Sequence, residues 1–222
     1  MSGGTFKSDD DQLKKPMSKP TDAIERLITL FTPTSQPLDT TATAGKIAMQ
    51  DDQQNMLVIL LIKGEIDIFR NVDNLLFANA SGPCIFGMQG TAFRFDVYQF
   101  RASKDSELRV LTQKEALSLL IENNALNDLV IFQSYFSDYQ AHRDNLLINK
   151  STYEIICGFL YELERVPMPQ RLKISVANYI LERSNLARSG VMKILADLRT
   201  GEYVDIQNGK LMSILRKLPK VY

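Results

Sequence analysis

Residues 175–218 constrain the fold of this chain more than any other stretch. Within 187–199, Val191, Ile194, Leu195 and Leu198 recur at helical spacing, so one side of that helix is apolar. Arg188, Ser189, Met192 and Lys193 then point away from that side. Residues 175–183 predict a shorter helix before it, and Ser184-Asn185-Leu186 a turn between the two. Immediately afterwards, two alternating segments flank Asn208-Gly209. That dipeptide accepts positive φ at both turn positions, which predicts a tight β-hairpin. Helix, turn, helix and hairpin in this order predict a winged helix-turn-helix. In such a unit the second helix buries one face and offers the other to the DNA major groove.

Charge supports that expectation. Residues 168–222 hold ten Lys and Arg against four Asp and Glu, a local balance of +6. The whole chain is neutral, with 26 basic and 26 acidic side chains, so residues 1–167 carry −6. Only the C-terminal portion is suited to meet a polyanion. Arg188 opens the second helix, and its planar fork matches guanine O6/N7 or a phosphate. Lys210, beside the hairpin tip, is placed for a phosphate contact.

The remainder reads as a separate β-rich portion. Residues 1–20 are polar and predict a flexible tail without a signal-peptide core. Thr21 is the candidate cap of a short helix through Phe31, with Ile24, Leu27, Ile28 and Phe31 on its apolar face. From about Gly45 to Leu111, strands are expected over 56–62, 65–70, 93–100 and 107–111. Lys63-Gly64, Gly82-Pro83, Gly87 and Gly90 punctuate them, and short strands with frequent turns fit a small sandwich or roll. The longest apolar run, 56–62, is far too short to span a bilayer, and the chain reads as cytoplasmic with no membrane partner.

Thr112-Gln113-Lys114-Glu115 and Ser151-Thr152-Tyr153-Glu154 are capping boxes, each opening a helix. Between them a longer helix through about Ile148 carries Leu129, Phe132, Phe136, Tyr139, Arg143 and Leu146 at alternating spacings of three and four. This heptad seam predicts pairing with a second copy through Leu129, Phe132, Phe136, Tyr139 and Leu146, although a core helix of a monomer carries the same stripe. His142, the single histidine, is expected at a surface or interface. Val166-Pro167-Met168-Pro169 is expected to stop the helix that begins at 151.

The run from Ile180 through Leu198 resembles, without a gap, the DNA-binding pattern of the Crp/Fnr superfamily, and the resemblance extends over about residues 40–218. Asn185 replaces the usual turn glycine, and Ala187 the usual serine. The resemblance implies that Arg188, Ser189 and Lys193 are the base-reading positions. Asn208-Gly209-Lys210-Leu211-Met212-Ser213-Ile214, with Asn178-Tyr179-Ile180, is similar to one enterobacterial branch, the Crp-like inhibitors of hydrogen peroxide resistance, which implies stress or virulence gene control.

By the same resemblance the β-region is a cyclic-nucleotide-binding-like roll. Phe86-Gly87 opens its phosphate cassette, with Gly87, Met88 and Arg94 at the effector positions. Met88 stands where nucleotide-binding members have a glutamate, and Arg94 is followed by Phe95 instead of a hydroxyl residue. Methionine cannot accept from a ribose hydroxyl as a carboxylate does, and phenylalanine cannot donate to phosphate, so no cyclic nucleotide is expected.

Cys84 and Cys157 lie too far apart in sequence for a cluster motif and are expected to be buried and inert. No catalytic constellation, metal site or cofactor is expected. The expected class is α+β: a β-roll domain at 21–124 with flanking helices, a dimerisation helix at 125–148 and a winged helix-turn-helix at 149–222. Its expected partners are a two-fold symmetric DNA duplex, a second copy and RNA polymerase. The alternative is a protein-interaction module that uses the same two scaffolds to hold a protein partner.

Overall fold

The computed structural model describes residues 18–88 and 97–219, an α+β chain with two compact units, Ser18–Asp138 and a second beginning at Tyr139. None of the described helices is long and apolar enough to cross a membrane.

In the first unit, helix α1 (Thr21–Phe31) buries Ala23, Ile24, Leu27 and Phe31. Thr21 is not its cap, contrary to expectation. Pro20 takes that position, and the Thr21 hydroxyl bonds to the Lys19 carbonyl. Among the described residues, eight strands follow: β1 (Gln36–Pro37), β2 (Lys46–Ile47), β3 (Leu57–Lys63), β4 (Glu65–Arg70), β5 (Leu76–Ser81), β6 (Cys84–Phe86), β7 (Tyr98–Ala102) and β8 (Glu107–Thr112). They form two four-stranded sheets, ordered β1-β8-β3-β6 and β2-β7-β4-β5, with every pairing antiparallel.

Strand β3 is buried on both faces at Val58, Ile59, Leu60 and Leu61, which explains its unbroken apolar run. The sheets meet through rings: Phe86 lies 5.4 Å from Phe100, one from each sheet. Gly64, at φ +95°, lets the chain pass from one sheet to the other. A Cβ there would come within 2.6 Å of the Ser106 Cα. The beginning of the strand expected at 93–100 lies outside the described residues, as does nearly all of the expected N-terminal tail.

Helix α2 (Gln113–Glu122) starts at the Thr112 capping box, with both reciprocal bonds present. Arg109 holds the end of α1 against β8, donating to the Ser35 hydroxyl at 2.8 Å and to the Ser35 and Thr32 carbonyls. Helix α3 (Leu126–Leu147) gives its first turns to this unit and its last to the second.

The second unit is built around helix α4 (Thr152–Glu164), again opened by a complete capping box, at Ser151. Helix α4 ends at Glu164 with Arg165 as its C-cap, just before Val166-Pro167, as expected. A short helix α5 (Met168–Arg171) restarts at once, because proline is tolerated in a first turn, where its missing N–H has no intrahelical partner. Helices α6 (Val176–Arg183) and α7 (Arg188–Thr200) and the hairpin β9 (Val204–Gln207) and β10 (Lys210–Ile214) complete the unit. Asn208 and Gly209 have φ of 49° and 74°, the positive pair that the hairpin turn requires. One core joins these elements: Leu146, Ile156, Phe159, Leu160, Leu163, Ile180, Val191, Leu195, Leu198 and Leu211 are all buried in it.

Candidate nucleic-acid interface

Helix α7 is oriented by its apolar stripe. Val191, Ile194, Leu195 and Leu198 are buried, and each is worth roughly 1.5–3 kcal/mol relative to exposure. The opposite side is free: Arg188, Ser189, Met192, Lys193, Ala196 and Arg199 are exposed. Neither Arg188 nor Lys193 bonds to another described residue. Ala187 caps α7 without a side-chain acceptor, leaving the first-turn amides of this 13-residue helix open to an anion. Gly190 has open space around the position of a Cβ, so packing within the protein does not require glycine there.

The turn before α7 is held by buried polar groups. Arg143, at the C-terminal end of α3, donates to the Arg183 carbonyl at 3.3 Å, at the last residue of α6. The Arg183 guanidinium lies 3.8 Å over the Tyr179 ring and donates to the Tyr179 carbonyl. Tyr179 donates in turn to Glu162 Oε1 at 2.9 Å, and burial pushes its phenol well up. The Ser184 hydroxyl closes the end of α6 on the Ile180 carbonyl at 2.6 Å. Together these bonds hold the turn by which α7 leaves α6. His142 is half-buried in this neighbourhood. Burial holds its imidazole below the usual range, with the Glu162 carboxylate opposing.

The hairpin is pinned as well. Arg171 donates to the Glu164 and Met212 carbonyls at 2.7 and 2.8 Å, and the Ile214 N–H donates to Glu164 Oε1 at 2.8 Å. At the tip, the Gly209 carbonyl accepts from the Val176 N–H. Lys210 is half-buried with its ammonium on the Lys173 carbonyl at 3.0 Å, so among the described residues it is the one of the four expected DNA contacts that is engaged.

The expected seam residues of α3 are distributed differently. Phe132 is 2% exposed and Leu146 4%, both inside their own chain, whereas Leu129, Phe136 and Tyr139 are half-buried. The apolar side chains of α3 left most exposed are Leu126, Val130 and Ile131, none of which the spacing singled out.

At the effector positions, Gly87 has φ +91°, and a Cβ there would lie 2.1 Å from the Leu57 carbonyl oxygen. The Gly87 and Met88 carbonyls accept from the side-chain amides of Gln113 at 3.1 Å and Gln133 at 2.7 Å, and the Met88 side chain is buried. Phe77 packs between Tyr98, 4.9 Å away, and Phe136, 6.4 Å away. Arg94 lies outside the described residues.

Residues 152–220 match the family described as winged helix-turn-helix DNA binding. Two solved structures share the larger architecture. A CooA mutant from Carboxydothermus hydrogenoformans is 16% identical, with a TM-score of 0.60 over 80% of this chain and 81% of that one. A transcriptional regulator of the Crp/Fnr family from Eubacterium rectale is also 16% identical, with a TM-score of 0.54 over 86% and 90%. The chain thus has the fold of these Crp/Fnr-type structures, and its residues 152–220 match a winged helix-turn-helix DNA-binding family. Among curated relatives, the protein named Inhibitor of hydrogen peroxide resistance from Salmonella typhimurium is 29% identical over 178 residues, 80% of this chain and 85% of that protein.

Thiol chemistry is disfavoured at both cysteines. Burial pushes the Cys84 thiol up, with the Lys19 ammonium opposing, and burial pushes half-buried Cys157 up to about 11. At pH 8 a thiol of that kind is on the order of 0.1% thiolate. Native protein at pH 8 is expected to react slowly with a disulfide reagent at both positions, and rapidly once unfolded. Labelling of Cys84 within seconds in the native state would contradict this.

Proposed function

We propose that the chain is a dimeric transcription regulator acting in the cytoplasm, which reads a two-fold symmetric operator through Arg188, Ser189 and Lys193 of α7. The observation that carries this reading is the free, basic outward face of α7 on a helix whose other face is locked into the core. Lys210 serves as a backbone contact on exchanging its Lys173 carbonyl for a phosphate. Phosphate contacts supply affinity, and the α7 side chains supply sequence preference.

Pairing with a second copy runs along α3. Leu126, Val130 and Ile131 present apolar surface there, with Leu129, Phe136 and Tyr139 half-buried alongside. Contact with RNA polymerase and control of stress or virulence genes belong to the same proposal, on the strength of the class and the relative's name.

The roll works without a cyclic nucleotide. Met88 supplies no carboxylate, and the cassette carbonyls at Gly87 and Met88 are already taken by glutamine side chains. Cyclic AMP at about 1 mM is expected to leave the melting temperature unchanged. A ligand bound at one-hundredth of that concentration would stabilise the fold by about 2.7 kcal/mol, an upward shift easily measured.

Binding of the full chain to a pool of genomic fragments, across a range of salt and beside Arg188→Ala, tests the main reading. Wild type is expected to enrich a subset of fragments with affinity falling steeply in salt. Arg188→Ala is expected to lose about 1–3 kcal/mol of discrimination. Retention of no DNA by either protein at low salt would overturn the reading and favour a protein partner.

A further inference from the structure

The outward side of α7 carries one long side chain that neither charge nor hydrogen bonding accounts for. Met192 is 48% exposed, whereas Val191, Ile194, Leu195 and Leu198 on the same helix are at most 8% exposed. It lies one turn beyond Arg188, next to Lys193 and one turn before exposed Ala196, so 188, 192 and 196 form a strip along the helix. The protein interior does not use this side chain, and leaving a thioether in water gains nothing for stability.

Chemistry narrows what such a residue can do in a major groove. A thioether has no donor and is a weak acceptor, so it reads neither the polar edges of the bases nor a phosphate. The apolar feature that a base pair presents there is the C5 methyl of thymine. An unbranched, polarisable side chain adapts readily to such a small target. We propose that Met192 is a specificity-determining residue that packs against a thymine methyl in each half-site, alongside the base read by Arg188.

Spacing makes the proposal sharper. Four residues advance the helix by about 6 Å, and stacked base pairs lie about 3.4 Å apart. The thymine therefore lies one or two base-pair steps from the Arg188 contact. The inference rests on α7 being the base-reading helix and names what one further position on it recognises.

The test begins with random-sequence duplexes selected by the full-length wild-type chain. In the selected duplex each thymine is then replaced singly by deoxyuridine, which removes only the methyl group. Dissociation constants are measured for wild type, Met192→Ala and Met192→Leu at one salt concentration. Loss of one buried methyl-sized contact corresponds to about a 4-fold weakening.

Wild type is expected to weaken by about that factor at one thymine per half-site. The effect should be absent in Met192→Ala and largely retained in Met192→Leu. Alanine is a strong helix former at this exposed position, so the variant should fold normally. Selection of a consensus in which no thymine is methyl-sensitive, or in which the sensitivity persists in Met192→Ala, overturns this inference while leaving the DNA-reading role of α7 intact. Failure of wild type to select any consensus overturns both.

Discussion

Burial of Val191, Ile194, Leu195 and Leu198 is the interaction on which the rest of the C-terminal unit depends. Burying these four aliphatic side chains while the charges of Arg188, Lys193 and Arg199 stay in water settles the rotation of α7 about its axis. The surface it offers is thus a consequence of packing that involves no ligand. Binding does not have to reorganise the helix, and preorganisation of this kind reduces the entropic cost of association.

The polar groups serve a different end. Arg143, Arg183, Tyr179 and Glu162 form a buried chain around the end of α6, and Arg171 and Glu164 tie the hairpin to α4. Buried charges of this kind contribute little net stability compared with an apolar core. Their value lies in geometry, since each bond has one satisfactory arrangement and the turn and the wing inherit it. Leu146 and Arg143 both reach this unit from the last turns of α3, so that helix end is part of the DNA-binding unit's own core.

Legibility in the sequence followed the range of the interaction. The two capping boxes and the Asn208-Gly209 turn are local, and each sits where the residues indicated, as does the amphipathic stripe of α7. Long-range pairings were hidden. The heptad stripe on α3 could not say whether Phe132 and Leu146 face a second chain or their own; the structure puts them in their own. The Lys210 partner lies 37 residues away, and the Arg143 partner 40. Gly158 inside α4 carries no signal in sequence, yet a Cβ there would sit 2.6 Å from Leu146 Cδ2. Thr21 misled because capping depends on one residue's exact place at the helix start, and Pro20 holds it.

In the proposed complex, DNA lies on the side of α7 away from the core. Hydroxyl-radical footprinting of side chains, with and without a duplex selected by the protein, tests it directly, because Met192 is both exposed and readily oxidised. Oxidation of Met192 should fall markedly on DNA binding, while Val72, at 87% exposure on the roll, should be unaffected. Equal oxidation of Met192 in the free and DNA-bound protein would contradict the account.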